Sequence, residues 1–330
     1  MKQVSVIIPC YNEQGTIEFL LKAIYEQSYC RTQMEVVIAD GLSSDLTINK
    51  INEFTIKHPD LEIRLIENPD RNIPSGLNRA MAEAQGQYFI RLDGHSVPDK
   101  NYVSKCVENL ELGKGDSVGG IWIISPRGSS WQAKSIALAA AHPLGVGDAK
   151  YRIGGKAQEV DTVPFGAFQK KLISKIGGFD ETLLANEDYE FNARIRRSGG
   201  KIWFDPEIRS RYYASSSFST LSRQYARYGF WKARMLRVHP GTIRWRQFLP
   251  PVFIISLLFF IIGGLFWPIL WSFLVIELNA YLLILILTGV FLAVKKKDLI
   301  LILGIPIAIA TMHLSWGSAF IWSLIKPSLK

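Results

Sequence analysis

From about Leu249 onward the apolar residues of this 330-residue chain run almost unbroken, while the first 248 residues mix apolar and charged side chains. That contrast divides the chain into a globular part and a membrane part. The stretch from Pro250 to Val294 is long enough for two helical spans of roughly 20 residues each, with Trp267-Pro268 as the turn between them. Lys295-Lys296-Lys297-Asp298 closes the second span, and the positive-inside rule puts it on the same side as Arg244 and Arg246. A third span, about 299–325, leaves Lys326 and Lys330 on the far side. Glu277, Asn279 and His313 fall within these spans, where an ionisable or amide side chain is a functional hypothesis by default. Glu277 is expected near a span end, and His313 is expected to be satisfied in a helix contact.

The formal net charge is +9, and its excess is local: thirteen Lys or Arg lie between Phe191 and Phe248 against only Asp205 and Glu207. A basic stretch just before an apolar span suits anionic lipid head groups or a diphosphate, and no nucleic-acid partner is expected. Cys10, Cys30 and Cys106 are odd in number and lack metal-ligand spacing, which fits a reducing setting. The apolar run at the N-terminus is too short for a signal peptide and reads as a first strand.

That strand, Val4 to Ile8, is expected to stop at Pro9. Ile17, Leu20, Leu21 and Ile24 then repeat at helical spacing. Further strands are expected over Glu35–Ala39, Leu61–Ile66 and Gln87–Leu92, with helices over Leu46–Ile56 and Asn78–Ala84. The alternation predicts an α/β fold, a mostly parallel sheet with helical crossovers, followed by the C-terminal transmembrane helices. Ligands of such sheets bind beyond the carboxyl ends of the strands, where Pro9, Asp40 and Asp93 fall. No G-x-G-x-x-G follows the first strand and no P-loop pattern occurs, which removes the main support for dinucleotide and P-loop readings.

Asp93 and His95 lie two apart at a strand end, where period-two geometry would aim both at one ion. Carboxylate and imidazole suit Mn2+ or Mg2+ bridging two phosphates; the tripeptide alone reads first as an ordinary Asp-Gly turn with an exposed histidine. Asn186-Glu187-Asp188 opens a helical segment and by itself reads as a cap, although a carboxylate there would also serve an acceptor hydroxyl as general base. Gln224 to Lys232 mixes cations with aromatics, which fits an interfacial helix and equally an Arg aimed at phosphate.

Taken in order, Val6-Ile7-Ile8-Pro9-Cys10-Tyr11-Asn12-Glu13, Ala39-Asp40-Gly41, Arg91-Leu92-Asp93-Gly94-His95, Asn186-Glu187-Asp188 and Gln224-Tyr225-Ala226-Arg227-Tyr228 resemble glycosyltransferase family 2, whose domain has the A-type nucleotide-diphospho-sugar transferase fold. The stretch Val160 to Phe168 and the segment Tyr225 to Lys232 are similar to the succinoglycan-biosynthesis branch. The resemblance implies a catalytic, nucleotide-sugar-binding domain over residues 1–232, a basic juxtamembrane segment over 233–248 and a membrane region over 249–330. It implies that Pro9, Tyr11, Glu13, Asp40, Arg71 and Asp93 hold a UDP-linked donor, and that Asp93 binds a divalent metal, with His95 where the family more usually has a second Asp. Asp188 is then the general base, with Glu187 beside it as second candidate. Gln224, Arg227 and Gly166 serve the diphosphate or acceptor, with Tyr228 replacing the family's Trp. The implied acceptor is a lipid-linked saccharide on a polyprenyl diphosphate, in exopolysaccharide biosynthesis at the inner membrane of a bacterium, with the catalytic domain in the cytosol. A membrane-tethered nucleotide-sugar-binding module without turnover is the alternative.

Overall fold

The computed structural model describes residues 2–326, so the expectation made for Lys330 lies outside the described residues. Four parallel strands open the chain: β1 (Val4–Cys10), β2 (Met34–Asp40), β3 (Glu62–Glu67) and β4 (Tyr88–Arg91), joined by α1 (Ile17–Tyr25), α2 (Thr47–Lys57) and α3 (Ile73–Glu83). Val4, Val6 and Ile8 pack with Leu20, Leu21 and Ile24 on one face of the sheet. Ile7 packs with Leu77 and Ala80 on the other, as in a strand covered on both sides.

β1 continues through Pro9 to Cys10, beyond the expected stop. Leu92 N donates to Ile7 O at 3.1 Å. Alternate residues of a parallel strand bond to the same neighbour, so the N–H that Pro9 lacks belongs on the β4 side, where β4 has already ended. The third helix likewise begins before the expected Asn78. Asn72 caps it by accepting from Ser75 N at 2.9 Å, and Pro74 fits its first turn.

The chain continues through β5 (Val97–Pro98), α4 (Tyr102–Glu111), β6 (Ser117–Ser125), α5 (Trp131–Ala140), α6 (Pro143–Val146), α7 (Lys150–Ile153), β7 (Gln158–Glu159), β8 (Ala167–Gln169), α8 (Lys170–Ile176), α9 (Glu187–Arg197) and β9 (Ile202–Tyr213). The sheet runs β3-β2-β1-β4-β8-β6-β9-β5, with β7 on β9. The parallel half comprises the first four strands; β8 pairs antiparallel with both β4 and β6, and β5 and β7 pair antiparallel with β9. Strand order reverses between β1 and β4, which puts the crevice expected of a doubly wound sheet beyond their carboxyl ends.

Four long helices follow: α10 (Phe218–Val238), α11 (Trp245–Gly264), α12 (Ile269–Lys296) and α13 (Leu301–Ile325). The last three are long and apolar enough to cross a membrane. By packing, one compact unit comprises Met1–Ile123 and Ala149–Tyr212, the other Ile124–Asp148 and Tyr213–Lys330. Two packing relations hold the second unit together. α10 approaches α13 so closely that a Cβ at Gly229 would collide with the Trp316 carbonyl oxygen, and one at Gly304 of α13 would collide with Ser135 Oγ of α5. His313 Nε2 lies 2.9 Å from Leu144 O and its Nδ1 3.1 Å from Tyr281 Oη. Glu277 accepts from Ser256 Oγ at 2.6 Å and Asn279 Nδ2 donates to Val275 O at 2.7 Å. Glu277 therefore sits about two turns inside α12, further in than expected.

Candidate active site

Two loops at the carboxyl ends of β1 and β2 are stitched together by polar contacts. Asn12 N donates to Ser43 Oγ at 2.8 Å, Ser44 N to Asn12 Oδ1 at 2.9 Å and Glu13 N to Thr47 Oγ1 at 2.8 Å. Asn12 holds a left-handed backbone with φ 53°, which asparagine tolerates. Asp40 is buried, and its two oxygens accept from Ser43 N at 2.7 Å and Ser43 Oγ at 2.6 Å. Tyr11 is 48% exposed and its ring lies against Gly41, where a Cβ would come within 3.1 Å of Tyr11 Cδ2. The two loops are thereby tied together, with Tyr11 exposed and Asp40 buried.

The end of β4 carries the charge. Arg91 is buried, and its Nη2 lies 2.7 Å from Glu187 Oε1, while Nε and Nη2 each lie 3.2 Å from Asp93 Oδ1. Its Nη1 is buried with no hydrogen-bond partner, a cost that folds accept mainly at functional sites. The guanidinium thus ties the turn after β4 to the first residues of α9. Asp188, next along α9, accepts from Tyr189 N at 2.7 Å. Burial and then the neighbouring Glu187 push its carboxyl up to about 6, with Asp93 adding to the rise and Arg91 and the Tyr189 N–H opposing it. Asn186 adopts φ 66° and offers no side-chain cap, so this acidic run does more than close a helix end.

Beyond Arg91 the strand ends, so strand alternation does not set the directions of Asp93 and His95. Ser96 N and Oγ both donate to Asp93 O, at 2.9 and 2.8 Å, closing a turn. Asp93 faces Arg91, whereas His95 Nδ1 lies 3.1 Å from Glu13 Oε1. Gly94 permits that approach, since a Cβ there would fall 2.9 Å from Glu13 Cγ. Among the described residues no group of three or more His, Cys, Asp or Glu is arranged to hold a metal ion. Both side-chain hydrogen bonds of Asp93 use Oδ1 and none uses Oδ2. One carboxylate oxygen fits Mn2+ or Mg2+ that takes the rest of its shell from phosphate oxygens and water.

Gly166 lies beside this cluster: Arg91 N donates to its carbonyl at 3.4 Å, and a Cβ on it would sit 2.7 Å from Ser117 Oγ. Asn192 Nδ2 on α9 holds the preceding loop through Thr162 Oγ1 at 2.9 Å and Val163 O at 3.0 Å. The sequence-predicted residues Pro9, Tyr11, Glu13, Asp40, Asp93, His95, Gly166, Glu187 and Asp188 all belong to the first unit. Residues 5–177, just over half of the chain, match the family described as Glycosyl transferase family 2.

The chain belongs to glycosyltransferase family 2.

This glycosyltransferase is 27% identical over 332 residues, 99% of the chain and 98% of the relative, to the dolichyl N-acetyl-alpha-D-glucosaminyl phosphate 3-beta-D-2,3-diacetamido-2,3-dideoxy-beta-D-glucuronosyltransferase of Methanococcus voltae. It is 28% identical over 317 residues to succinoglycan biosynthesis protein ExoA of Rhizobium meliloti, covering 96% of this chain and 93% of that one. The mannosyltransferase PcManGT of Pyrobaculum calidifontis, solved with GDP-Man and Mn2+, shares its fold with a TM-score of 0.59 at 21% identity, over 94% and 86% of the two chains. S. aureus TarS 1–349 in complex with UDP-GlcNAc does so with a TM-score of 0.50 at 17% identity, over 71% and 66%.

The three remaining predicted residues of the glycosyltransferase are Arg71, Gln224 and Arg227. Arg71 follows β3 with φ 53° and an exposed side chain. Gln224 and Arg227 lie on α10 in the second unit. There Tyr228, in the place of the family's Trp, has its hydroxyl 2.9 Å from Gln224 Nε2, while Gln224 Oε1 accepts from Ser215 Oγ at 2.9 Å. A tryptophan, which only donates, could not accept that amide N–H. Sequence reasoning missed Arg91 as a site residue. A lone cation ending an otherwise apolar strand was the available signal.

Proposed function

We propose that this glycosyltransferase takes a sugar from a UDP-linked donor and places it, with inversion, on a hydroxyl of a polyprenyl-diphosphate-linked saccharide during exopolysaccharide assembly. The observation that carries the reading is the geometry around Asp188, which follows Glu187 in the first turn of α9, where Glu187 and Asp93 are both held by the Arg91 guanidinium. Burial and Glu187 raise its carboxyl towards neutrality, which suits proton transfer there. In the proposed step Asp188 accepts the proton of the acceptor hydroxyl, and the acceptor oxygen forms its bond to the anomeric carbon from the face opposite the leaving group. The bond from that carbon to the donor phosphate oxygen breaks, and its electron pair leaves with the nucleoside diphosphate. Asp93 would hold a divalent ion, which when bound supplies positive charge to the departing diphosphate. Pro9, Tyr11, Glu13, Asp40 and Arg71 would hold the nucleotide; Gly166, Gln224 and Arg227 would serve diphosphate or acceptor; Glu187 keeps Arg91 in place.

The name of the Rhizobium meliloti relative supports an exopolysaccharide product, and that of the Methanococcus voltae relative a lipid-linked acceptor. Lys295, Lys296 and Lys297 at the end of α12 support a cytosolic start and end for the α11–α12 hairpin at a bacterial inner membrane. The test incubates membranes holding the protein with radiolabelled nucleotide sugars and extracts the lipid. Label in lipid with the wild type, lost in Asp188→Asn, supports the proposal. Donor binding with no label in any product supports the tethered binding module instead.

A further inference from the structure

The three apolar helices of the second unit are not equivalent. α11 and α12 form an antiparallel hairpin: Ser256 pairs with Glu277, Phe253 stacks near Tyr281 with ring centroids 4.5 Å apart, and Phe260 lies 6.1 Å from Phe273. The start of α11 and the lysine-rich end of α12 therefore share one face of the membrane. α13 starts shortly after Lys296 and so starts on that face.

Its other end is located by Arg237 near the end of α10. Arg237 Nη2 donates to Ser323 O and Leu324 O at 2.6 Å each, and Nη1 and Nη2 donate to Lys326 O at 3.2 Å. A guanidinium thus satisfies the last carbonyls of α13, a favourable match to the negative end of the helix. Arg237 is eight residues before Trp245, where α11 begins. Fully extended, that link reaches about 28 Å and the Arg237 side chain adds several ångströms, so only a straight, fully stretched link would cross the roughly 30 Å hydrocarbon core. Thr242 Oγ1 bonding back to His239 O at 2.9 Å shortens it further.

The contacts of α13 with the hairpin agree. A Cβ at Gly289 would meet Ile302 O at 2.8 Å, one at Gly317 would meet Pro250 O at 2.6 Å, and His313 reaches Tyr281. Gly289 and Pro250 fall on the lysine-end halves of α12 and α11, and Tyr281 at the middle of α12. α10, which carries Arg223, Arg227, Lys232, Arg234 and Arg237, runs alongside: Ser222 Oγ and Ser315 Oγ are 2.9 Å apart. A helix so charged would not cross the hydrocarbon beside α13. The exposed apolar residues of α13, among them Leu303, Ile307, Leu314, Trp322 and Ile325, recur at helical spacing along one stripe.

We infer that only α11 and α12 traverse the bilayer, and that α13 is an interfacial helix with both ends on the face where α11 starts, its apolar stripe set among the acyl chains of that single leaflet. α5, α6 and α10 cover its remaining faces.

The test uses the full chain in intact bacterial cells, in a Cys30→Ser background because Cys10 and Cys106 are buried. Single-cysteine variants Phe266→Cys in the hairpin turn, Lys296→Cys and Lys326→Cys are treated with a membrane-impermeant maleimide before and after permeabilisation. The expected result is that Lys326→Cys follows Lys296→Cys and opposes Phe266→Cys, with at least a tenfold difference in labelling between the two conditions. Labelling of Lys326→Cys from the same side as Phe266→Cys overturns the inference. If neither side labels it, C-terminal fusions decide: a fluorescent protein that folds only in the cytosol, and alkaline phosphatase active only outside, must report the side of Lys296 or the inference fails.

Discussion

Replacing Asp188 by Asn should make the protein more stable while disabling it. In the fold this carboxyl is pushed from 3.8 to about 6, chiefly by burial and by Glu187. Because the folded value lies above the unfolded one, the fold binds the proton more tightly. The favourable contribution is complete below about pH 4 and is lost as the pH rises through about 6. A displacement of that size corresponds to about 2 to 3 kcal/mol by which the ionised group burdens the fold at neutral pH. Asn keeps the shape, still accepts the Tyr189 N–H and carries no charge. Thermal unfolding of the full chain in detergent at pH 7.5 should therefore shift upward by roughly 4 to 10 °C, and the gain should shrink towards zero near pH 4. Loss of a positioned base should lower turnover by about 10²- to 10⁴-fold, measured as label transferred per minute at saturating donor. The reasoning is refuted by a variant that turns over within tenfold of wild type, or by one that unfolds at a lower temperature at pH 7.5.

The wild-type enzyme should lose turnover as the pH falls through about 6, and a rate flat from pH 5 to 8 would remove Asp188 from the role of base. Arg91→Met strips the buried link between Asp93 and Glu187 and should destabilise the protein by about 3 to 5 kcal/mol in thermal denaturation. A loss below about 1 kcal/mol would show that the pair is not held as described. Asp93→Ala should weaken nucleotide binding in the presence of Mn2+ and leave metal-free binding nearly unchanged by calorimetry; an undiminished Mn2+ effect would place the ion elsewhere. Tyr228→Phe removes the hydrogen-bond partner of Gln224 and should cost about 1 kcal/mol, read as a raised donor or acceptor KM or a lower unfolding temperature.

The parallel half of the sheet was legible because each of its strands is a run of apolar or β-branched residues closed by Pro, Asp or Gly. Its ends shifted where hydrogen-bond geometry outweighed residue preference, as at Pro9. The antiparallel half was not legible. β5 and β7 are two residues long and β8 is three, too short to show any period. The motifs mark the carboxylates but not what connects them: Arg91 reads as an ordinary strand residue, and its role follows only from Glu187, which lies far along the chain. Asp93 and His95 share a direction only if the strand runs on to Leu92; it ends at Arg91, and a turn sends one towards Arg91 and the other towards Glu13. The segment from Trp131 to Val146 is too short for a span and not apolar enough to stand out from a soluble helix, so its membership of the helical unit is not legible in the sequence.

That segment has a consequence in time. The ribosome makes α5 and α6 long before α13, whose Gly304 and His313 they pack against. At typical synthesis rates the interval is about 10 to 30 s. Throughout it, the faces of α5 and α6 that meet α13 lack their final partner, and a membrane surface or a chaperone would shelter them until the last helix exists.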